Sequence, residues 1–150
     1  MRLAFAEALH KEMESNPNIH LIVGDLGYFI FDKIRESFPE RFTNTGAAEQ
    51  VMMNIGIGMA LSGKIPVVYS ITPFLLHRPY EAIKLYLEGE GIHVKLVGSG
   101  RCKDYDHDGP SHWESEFPFS FKQYRPEIIS ESLIKDFLYN NEPSFLSLSR

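Results

Sequence analysis

The chain has 150 residues, of which 43% are hydrophobic, so it suits one globular domain spanning residues 1–150. A formal charge of −5 and a pI near 5.7 argue against a surface that binds nucleic acid or anionic membranes. The single cysteine, Cys102, excludes an internal disulfide and is typical of a reducing compartment. The first residues become charged too early for a signal peptide, and no apolar run approaches the roughly 18 residues that span a bilayer, so we expect a cytoplasmic protein.

Helical and strand patterns alternate along the chain. Predicted helices show apolar residues at helical spacing, and predicted strands are short apolar runs that end at glycine or proline. The helices are 2–15, 31–38, a segment from Glu49 to Leu61, a segment that runs through Tyr86, and 131–139. The strands are 20–24, a short run before Gly46, 65–70, 93–98, 128–129 and 145–148. This alternation predicts an α/β domain of three layers, with helices on both faces of a mostly parallel sheet.

The stretch 41–50 reads as a short strand, a turn at Gly46 and the first turn of a helix that carries Glu49. Such a turn directs the first helical residues toward the crevice beyond the strand ends. One interpretation is that this glutamate only complements the helix dipole. However, its neighbours make a poor solvent face: Ala47, Ala48, Val51 and Met52. Apolar surroundings favour the protonated form of a carboxylate, as general acid–base chemistry requires.

Three segments carry a resemblance to a known family. They are Gly-Asp-Leu-Gly at 24–27, the run from Phe38 to Gln50, and Asp-Gly-Pro-Ser-His at 108–112. Together they resemble the pyrimidine-binding domain of transketolases and the related deoxyxylulose-phosphate synthases. Their order and spacing extend over nearly the whole chain, which makes the match more specific than any single motif. The resemblance implies the thiamine-diphosphate-binding fold and thiamine diphosphate as the cofactor.

The resemblance also implies which residues contact the cofactor. Glu49 would hydrogen-bond the aminopyrimidine ring and favour the imino tautomer, whose nitrogen removes the proton from the thiazolium carbon. In the family an aromatic ring just after the strand that here ends at Ser70 packs against the pyrimidine. Phe74 is the candidate, with Tyr69 as a second wall of the pocket. From the residues alone, Phe74 is as readily interpreted as a core phenylalanine.

The segment 108–112 is a turn that carries a carboxylate, Asp108, and an imidazole, His112, four positions apart. Histidine titrates near neutrality and hydrogen-bonds hydroxyls or oxyanions, although an isolated loop histidine is commonly only a surface residue. The resemblance implies that His112 lies beside the oxygens of a donor sugar. Other acidic and histidine side chains crowd this loop, but their spacing matches no zinc motif, so we expect no metal site in this chain.

Arg2 and Arg150 match family positions where arginine holds a substrate phosphate, a task suited to planar, bidentate donors. Either is otherwise an exposed terminal charge. Two further phosphate contacts are altered, because Gly100 stands where the family has histidine and Phe29 where it has a small hydroxyl residue. Either Arg101 replaces the lost histidine, or the substrate carries something other than a simple terminal phosphate.

The family's diphosphate site belongs to a second domain, in which a Gly-Asp-Gly turn and a later asparagine hold a metal ion. The segment 24–27 is not that motif, because Leu26 occupies the third position. The resemblance therefore implies half of a cofactor site. A partner chain would supply the diphosphate and Mg²⁺ contacts, with two copies of each chain in the assembly.

We expect the pyrimidine-binding subunit of a split, thiamine-diphosphate-dependent transketolase-like enzyme that transfers a two-carbon ketol unit between sugar-type substrates. Two alternatives remain open at this point. One is a subunit of a 2-oxo acid decarboxylase or acyloin synthase that uses the same cofactor. The other is a non-catalytic module that retains the fold.

Overall fold

The computed structural model describes residues 1–114 and 116–150. Its helices and strands follow the predicted alternation. The strands are β1 (Ile19–Val23), β2 (Phe42–Asn44), β3 (Ile65–Ile71), β4 (Lys95–Ser99), β5 (Lys122–Tyr124) and β6 (Ser144–Leu148). The helices are α1 (Arg2–Ser15), α2 (Asp32–Ser37), α3 (Glu49–Leu61), α4 (Thr72–His77), α5 (Tyr80–Ala82), which continues as a π-helix over Ile83–Gly89, and α6 (Glu131–Tyr139).

The described strands form one parallel sheet in the order β2-β1-β3-β4-β6-β5. Alternate residues of each strand face opposite sides, so the sheet has two apolar faces. Helices α1, α2 and α6 cover one face, and α3, α4 and α5 with its π-helical continuation cover the other. The predicted single three-layer α/β architecture is confirmed.

Close packing of α3 on the sheet depends on a glycine in the helix. A methyl group at Gly56 would lie 2.9 Å from a methyl carbon of Val68 in β3. Because real side chains avoid such distances, any larger residue would force α3 away from the sheet. Since Glu49 is the first residue of α3, this packing also fixes the position of its carboxylate.

The predicted strand at 128–129 is wrong, and the edge strand is β5 instead. Ile128 is 79% exposed and Ile129 packs on the margin of the core. In β5 the residues 122–124 pair with β6, and only Tyr124 of the three is buried. An edge strand needs few apolar side chains, so its sequence Lys-Gln-Tyr gave no hydrophobic signal, and Pro126 follows where the strand has ended.

The predicted helix through Tyr86 is interrupted. α4 ends at His77, and Pro79, which has no N–H to donate, separates it from α5. Residues 83–89, which come immediately after α5, form the π-helix. Arg78 therefore lies at a break between two short helices.

The strand order reverses beside β1, which pairs with β2 on one side and β3 on the other. The loops that follow these strands consequently meet at one edge of the sheet. The side-chain oxygen of Asn44 joins two of them, because it accepts the N–H groups of Asp25 and Gly46, each at 3.0 Å. In open parallel sheets such a reversal is where ligands bind.

No helix in residues 1–114 and 116–150 is both long enough and apolar enough to cross a bilayer.

Lys95 is a buried charge at the opposite end of the sheet, with a side chain that is about 1% exposed. Its Nζ donates to the carbonyl oxygen of Asn140 at 2.9 Å, to the Asn140 side-chain oxygen at 2.5 Å and to the carbonyl oxygen of Glu142 at 2.7 Å. These bonds tie the turn between α6 and β6 to the start of β4. Burial lowers the pKa of Lys95 to about 8.

Lys95 is expected to make stability depend on pH. Its pKa of about 8 in the folded chain lies below the ordinary value of 10.5, so the unfolded chain binds more protons between these values and stability rises with pH there. We expect the free energy of unfolding of the wild type to rise relative to that of Lys95→Met by about 2 kcal/mol between about pH 7 and about pH 9.5. Urea unfolding followed by circular dichroism measures this difference.

The matched control is Lys135→Met, which removes an exposed lysine of α6. Its difference from the wild type is expected to stay nearly constant over the same pH range. If the difference in free energy of unfolding between the wild type and Lys95→Met did not change with pH, the lowered pKa of Lys95 would be contradicted.

Candidate active site

Glu49 lies at the reversal point of the sheet, at the start of α3, and is only 3% exposed. Its Oε1 accepts a hydrogen bond from Nη1 of Arg78 at 2.7 Å. The apolar surroundings predicted from its neighbours are partly present, because Met52 is buried while Val51 is largely exposed. A buried carboxylate needs a charged or hydrogen-bonding partner, and Arg78 provides it.

The ring of Phe74 adjoins this ion pair. The guanidinium carbon of Arg78 lies 3.7 Å from the centroid of the ring, which is a stacking distance. The ring of His112 lies 4.8 Å from the same centroid, at an interplanar angle of 66°. The structure therefore brings Glu49, Phe74 and His112 together: Arg78 joins Glu49 to Phe74, and Phe74 contacts His112.

Tyr69, predicted as a second wall of the cofactor pocket, does not lie beside Phe74. It is 1% exposed and packs edge-on against Phe31, with ring centroids 4.8 Å apart, in the core beneath α1 and α2. The reason is the alternation of side chains along β3, which turns Tyr69 to the sheet face opposite α4. In this structure Tyr69 is a core residue rather than a second wall beside Phe74.

Arg2 and Arg150 meet at a cavity. They line a cavity of about 400 Å³ together with Met1, Leu3, Phe29 and Ile30. Nη1 of Arg2 donates to the hydroxyl of Tyr105 at 3.1 Å, and the guanidinium carbon of Arg150 lies 5.4 Å from the Tyr105 ring centroid. The two predicted anion-binding residues are thus neighbours, although they are separated by almost the whole chain.

Tyr105 connects this cavity to the cluster around Glu49. Its ring centroid lies 6.4 Å from that of His112, and its hydroxyl is 2.8 Å from Oγ of Ser99. A side chain at Gly100 would collide with the same ring, because a Cβ there would lie 2.4 Å from Tyr105. Gly100 also has a φ of +91°, which favours glycine. Tyr105 therefore fills the space that a histidine at position 100 would need.

Arg101 does not point into the cavity. Its Nε donates to Oγ of Ser147 at 3.2 Å, and its Nη2 donates to the Ser147 carbonyl oxygen. Burial lowers the pKa of Arg101 from its ordinary value. In this structure the guanidinium of Arg101 holds β6 through Ser147 rather than facing the cavity between Arg2 and Arg150.

Phe29 occupies a strained position at the rim of the same cavity. Its φ of +65° lies in the left-handed region, and its side chain is 90% exposed. A bulky residue rarely adopts this conformation, and such strain is concentrated at functional sites. The cavity consequently offers two cationic groups and an apolar rim.

The loop that carries His112 is closed at its base by Glu114. Cys102 and Glu114 exchange hydrogen bonds, from the Cys102 N–H to Oε2 of Glu114 at 2.8 Å and from the Glu114 N–H to the Cys102 carbonyl oxygen at 2.9 Å. Arg125 donates to both carboxylate oxygens, at 2.6 and 2.7 Å. Burial opposes ionisation of Glu114, but these hydrogen bonds prevail and lower its pKa. The pair fixes the base of the His112 loop.

Asp108, a predicted substrate contact, is exposed and lies beside His107, 3.1 Å away, rather than beside His112. Nδ1 of His112 instead pairs with Oγ of Ser111 at 3.0 Å. Asp104 accepts the N–H groups of Arg101 and Arg150, so it serves the loop's own structure. In the described ranges, no three His, Cys, Asp or Glu side chains are grouped as a metal ion requires.

Sequence reasoning missed Arg78 and Tyr105. Arg78 had a usable signal, since it follows Phe74 by four residues in a helical segment and such pairs share a helix face. Tyr105 had none, because its partners Arg2 and Arg150 are distant in sequence. A cavity of about 460 Å³ near Lys95 lies at the other end of the sheet, and no predicted site residue lines it.

Comparison with known proteins identifies the family of this chain. Residues 1–128 match the family described as transketolase, pyrimidine binding domain. A putative transketolase C-terminal section from Methanocaldococcus jannaschii is 32% identical over 113 residues, which cover 75% of this chain and 36% of that protein. The 6-deoxy-6-sulfo-D-fructose transketolase subunit SqwH from Clostridium sp. (strain MSTE9) is 31% identical over 84 residues, 56% of this chain and 26% of its own length.

Among solved structures, a split gene transketolase described as an inactive beta4 tetramer has a TM-score of 0.82 at 25% identity, and the likeness covers 98% of this chain and 50% of that one. The chain thus spans about a third of the length of the Methanocaldococcus relative and half of this structural neighbour. The family match over most of the sequence shows that this chain belongs to the transketolase pyrimidine-binding domain family.

Proposed function

We propose that this chain is the pyrimidine-binding half of a split, thiamine-diphosphate-dependent transketolase-like enzyme that moves a two-carbon ketol unit between sugar-type substrates. The observation that carries the proposal is the cluster of Glu49, Phe74 and His112. A carboxylate that is 3% exposed and an aromatic ring already share one planar, N–H-bearing group, the guanidinium of Arg78. An aminopyrimidine ring is also planar and bears N–H groups, so the residues fit this part of the cofactor.

Each residue has a defined role in the proposal. Glu49 shares a proton with the pyrimidine nitrogen that faces it, and Phe74 offers a stacking surface that orients the ring. His112, on the adjacent loop, hydrogen-bonds the oxygens of the sugar substrate. When bound, thiamine diphosphate supplies a nucleophilic carbon and an electron sink.

Arg2 and Arg150 hold the distal, anionic end of the substrate in this proposal. Their cavity joins the Glu49 cluster through Tyr105, and its exposed Phe29 replaces a polar wall by an apolar one. A relative that bears the name of a sulfo-sugar transketolase supports substrates whose anionic end is not a phosphate. Asp108, which is exposed on the loop that carries His112, remains in the proposal as a substrate contact.

A partner chain supplies the diphosphate and Mg²⁺ contacts, and we propose two copies of each chain in a cytoplasmic enzyme. Several relatives support a split arrangement, because their names describe a section or a subunit of a transketolase. The structural neighbour described as an inactive tetramer supports the idea that such a chain is inactive without its partner.

The assignment of Glu49 is tested by Glu49→Gln in the complex reconstituted with the co-purified partner. Loss of the carboxyl group removes the proton that it shares with the ring, so we expect ketol transfer to fall by at least about a hundredfold while the fold is kept. Glu36→Gln, which changes an exposed glutamate of α2, is the matched control. Retained activity in Glu49→Gln would reject the role, and release of carbon dioxide from 2-oxo acids would identify a decarboxylase instead.

The proposal that this chain holds only half of the cofactor site is tested with the isolated chain. Because the diphosphate accounts for much of the cofactor's charge and is held by the partner in this proposal, we expect the chain alone to bind thiamine diphosphate weakly or not at all. We expect the complex to bind it tightly in the presence of Mg²⁺. Isothermal titration calorimetry on both preparations measures the two affinities. Tight, Mg²⁺-dependent binding by the isolated chain would disprove the split site.

The ion pair between Glu114 and Arg125, which closes the base of the His112 loop, predicts an effect on substrate binding. Arg125→Met leaves the Glu114 carboxylate without its charged partner and loosens the base of the His112 loop. We expect KM for the ketose donor to rise by about tenfold, equivalent to one lost hydrogen bond of about 1.4 kcal/mol, with unchanged affinity for the cofactor. Steady-state kinetics and cofactor titration separate these effects; equal losses in both would show a general folding defect.

A further inference from the structure

Arg78 contacts both groups that the proposed function assigns to the cofactor ring. Its Nη1 lies 2.7 Å from Oε1 of Glu49, and its guanidinium carbon lies 3.7 Å above the centroid of Phe74. We propose that Arg78 is a positioning residue that holds the place of the aminopyrimidine ring, and that the two compete for Glu49 and Phe74. This inference rests on the proposed function.

Competition follows from the geometry. A guanidinium at 3.7 Å is already in van der Waals contact with the Phe74 ring, so no second planar group fits between them on that face. The same guanidinium uses Oε1 of Glu49. A pyrimidine that stacks on Phe74 and hydrogen-bonds Glu49 therefore has to displace the Arg78 side chain from both.

The need for a placeholder comes from the burial of Glu49. A carboxylate that is 3% exposed is unfavourable without a hydrogen-bonding or charged partner, and its side chain would otherwise rotate toward water. Arg78 satisfies it and keeps the carboxyl group in the orientation that the ring requires. The ion pair between Arg78 and Glu49 is also weakened by water, because the Arg78 side chain is 46% exposed and solvent screens its charge.

Arg78 is placed where it can move. It follows the last residue of α4, and Pro79 interrupts the helical hydrogen bonds immediately after it. Its partly exposed side chain needs only rotation about its own bonds to swing into solvent. Displacement therefore requires no change in the packing of α3 against the sheet.

The test uses the isolated chain and the probe 4-amino-5-hydroxymethyl-2-methylpyrimidine, the ring half of the cofactor without its thiazolium and diphosphate. Binding is followed by ¹H–¹⁵N NMR, with affinities obtained from amide shifts in α3 and α4. Arg78→Met removes the competing guanidinium and keeps an apolar chain of similar length. Arg35→Met is the matched control, since Arg35 is also half-exposed and paired with a carboxylate, Asp32, within α2.

We expect Arg78→Met to bind the probe about fivefold more tightly than the wild type, a ratio equivalent to about 1 kcal/mol and typical of a partly exposed ion pair. Arg78→Lys, which keeps the charge but not the planar group, should lie between the two, and Arg35→Met should match the wild type. In the wild type, the Nε–H resonance of Arg78 should shift as the probe saturates, an effect that does not depend on any variant folding.

The outcomes separate the inference from the function on which it rests. Equal or weaker binding by Arg78→Met, or an Arg78 resonance that does not respond to the probe, would overturn the inference provided that Glu49→Gln abolishes binding. Absence of binding by both the wild type and Arg78→Met would also overturn the inference, because removal of the guanidinium would then open no site for the ring. Probe binding that survives Glu49→Gln would overturn the proposed function itself.

Discussion

The parallel pairing of β1 with β2 on one side and β3 on the other is the constraint on which the site depends. It brings the carboxyl ends of three strands to one edge, although residues 24, 45 and 72 are far apart in the chain. From that edge α3 begins with Glu49 and α4 begins two residues before Phe74. Close packing at Gly56 prevents α3 from sliding, so the backbone that carries the carboxylate is fixed before any ligand arrives.

The electrostatics of the site follow from a single buried carboxylate. Glu49 is held by one arginine that is itself partly in water, an arrangement stable enough to orient the acid and weak enough to be exchanged. By contrast, Arg125 donates a hydrogen bond to each carboxylate oxygen of Glu114, and Glu114 also accepts the Cys102 N–H. These contacts fix the base of the His112 loop. The chain thus uses the same kind of charge pair once as an exchangeable contact and once as a permanent one.

The cavity that we propose for the anionic end of the substrate differs from the family pattern at two positions, Gly100 and Phe29. Gly100 leaves room for Tyr105, whose hydroxyl holds Arg2, and Phe29 places an exposed ring at the rim of the cavity. Both changes keep the arginine pair and reduce the number of polar partners around it. Specificity for the anionic end of the substrate would then come from two guanidinium groups and the shape of an apolar wall.

The sequence by itself determined the α/β class and the order of most elements, because periodicity and turn chemistry are local properties. Its local pattern also pointed to Glu49, whereas Phe74 and His112 were implied by the resemblance to a known family, and the structure brings the three residues together. It failed at β5, where an edge strand carries few apolar residues. It also gave no sign that strand alternation places Tyr69 in the core or that Ser147 binds the guanidinium of Arg101. The tertiary structure alone decided that Arg78 closes over Glu49 and that Arg2, Tyr105 and Arg150 meet. The physical reason is that ion pairs and shared cavities form between chain segments that a sheet brings together, and sequence spacing does not encode those distances.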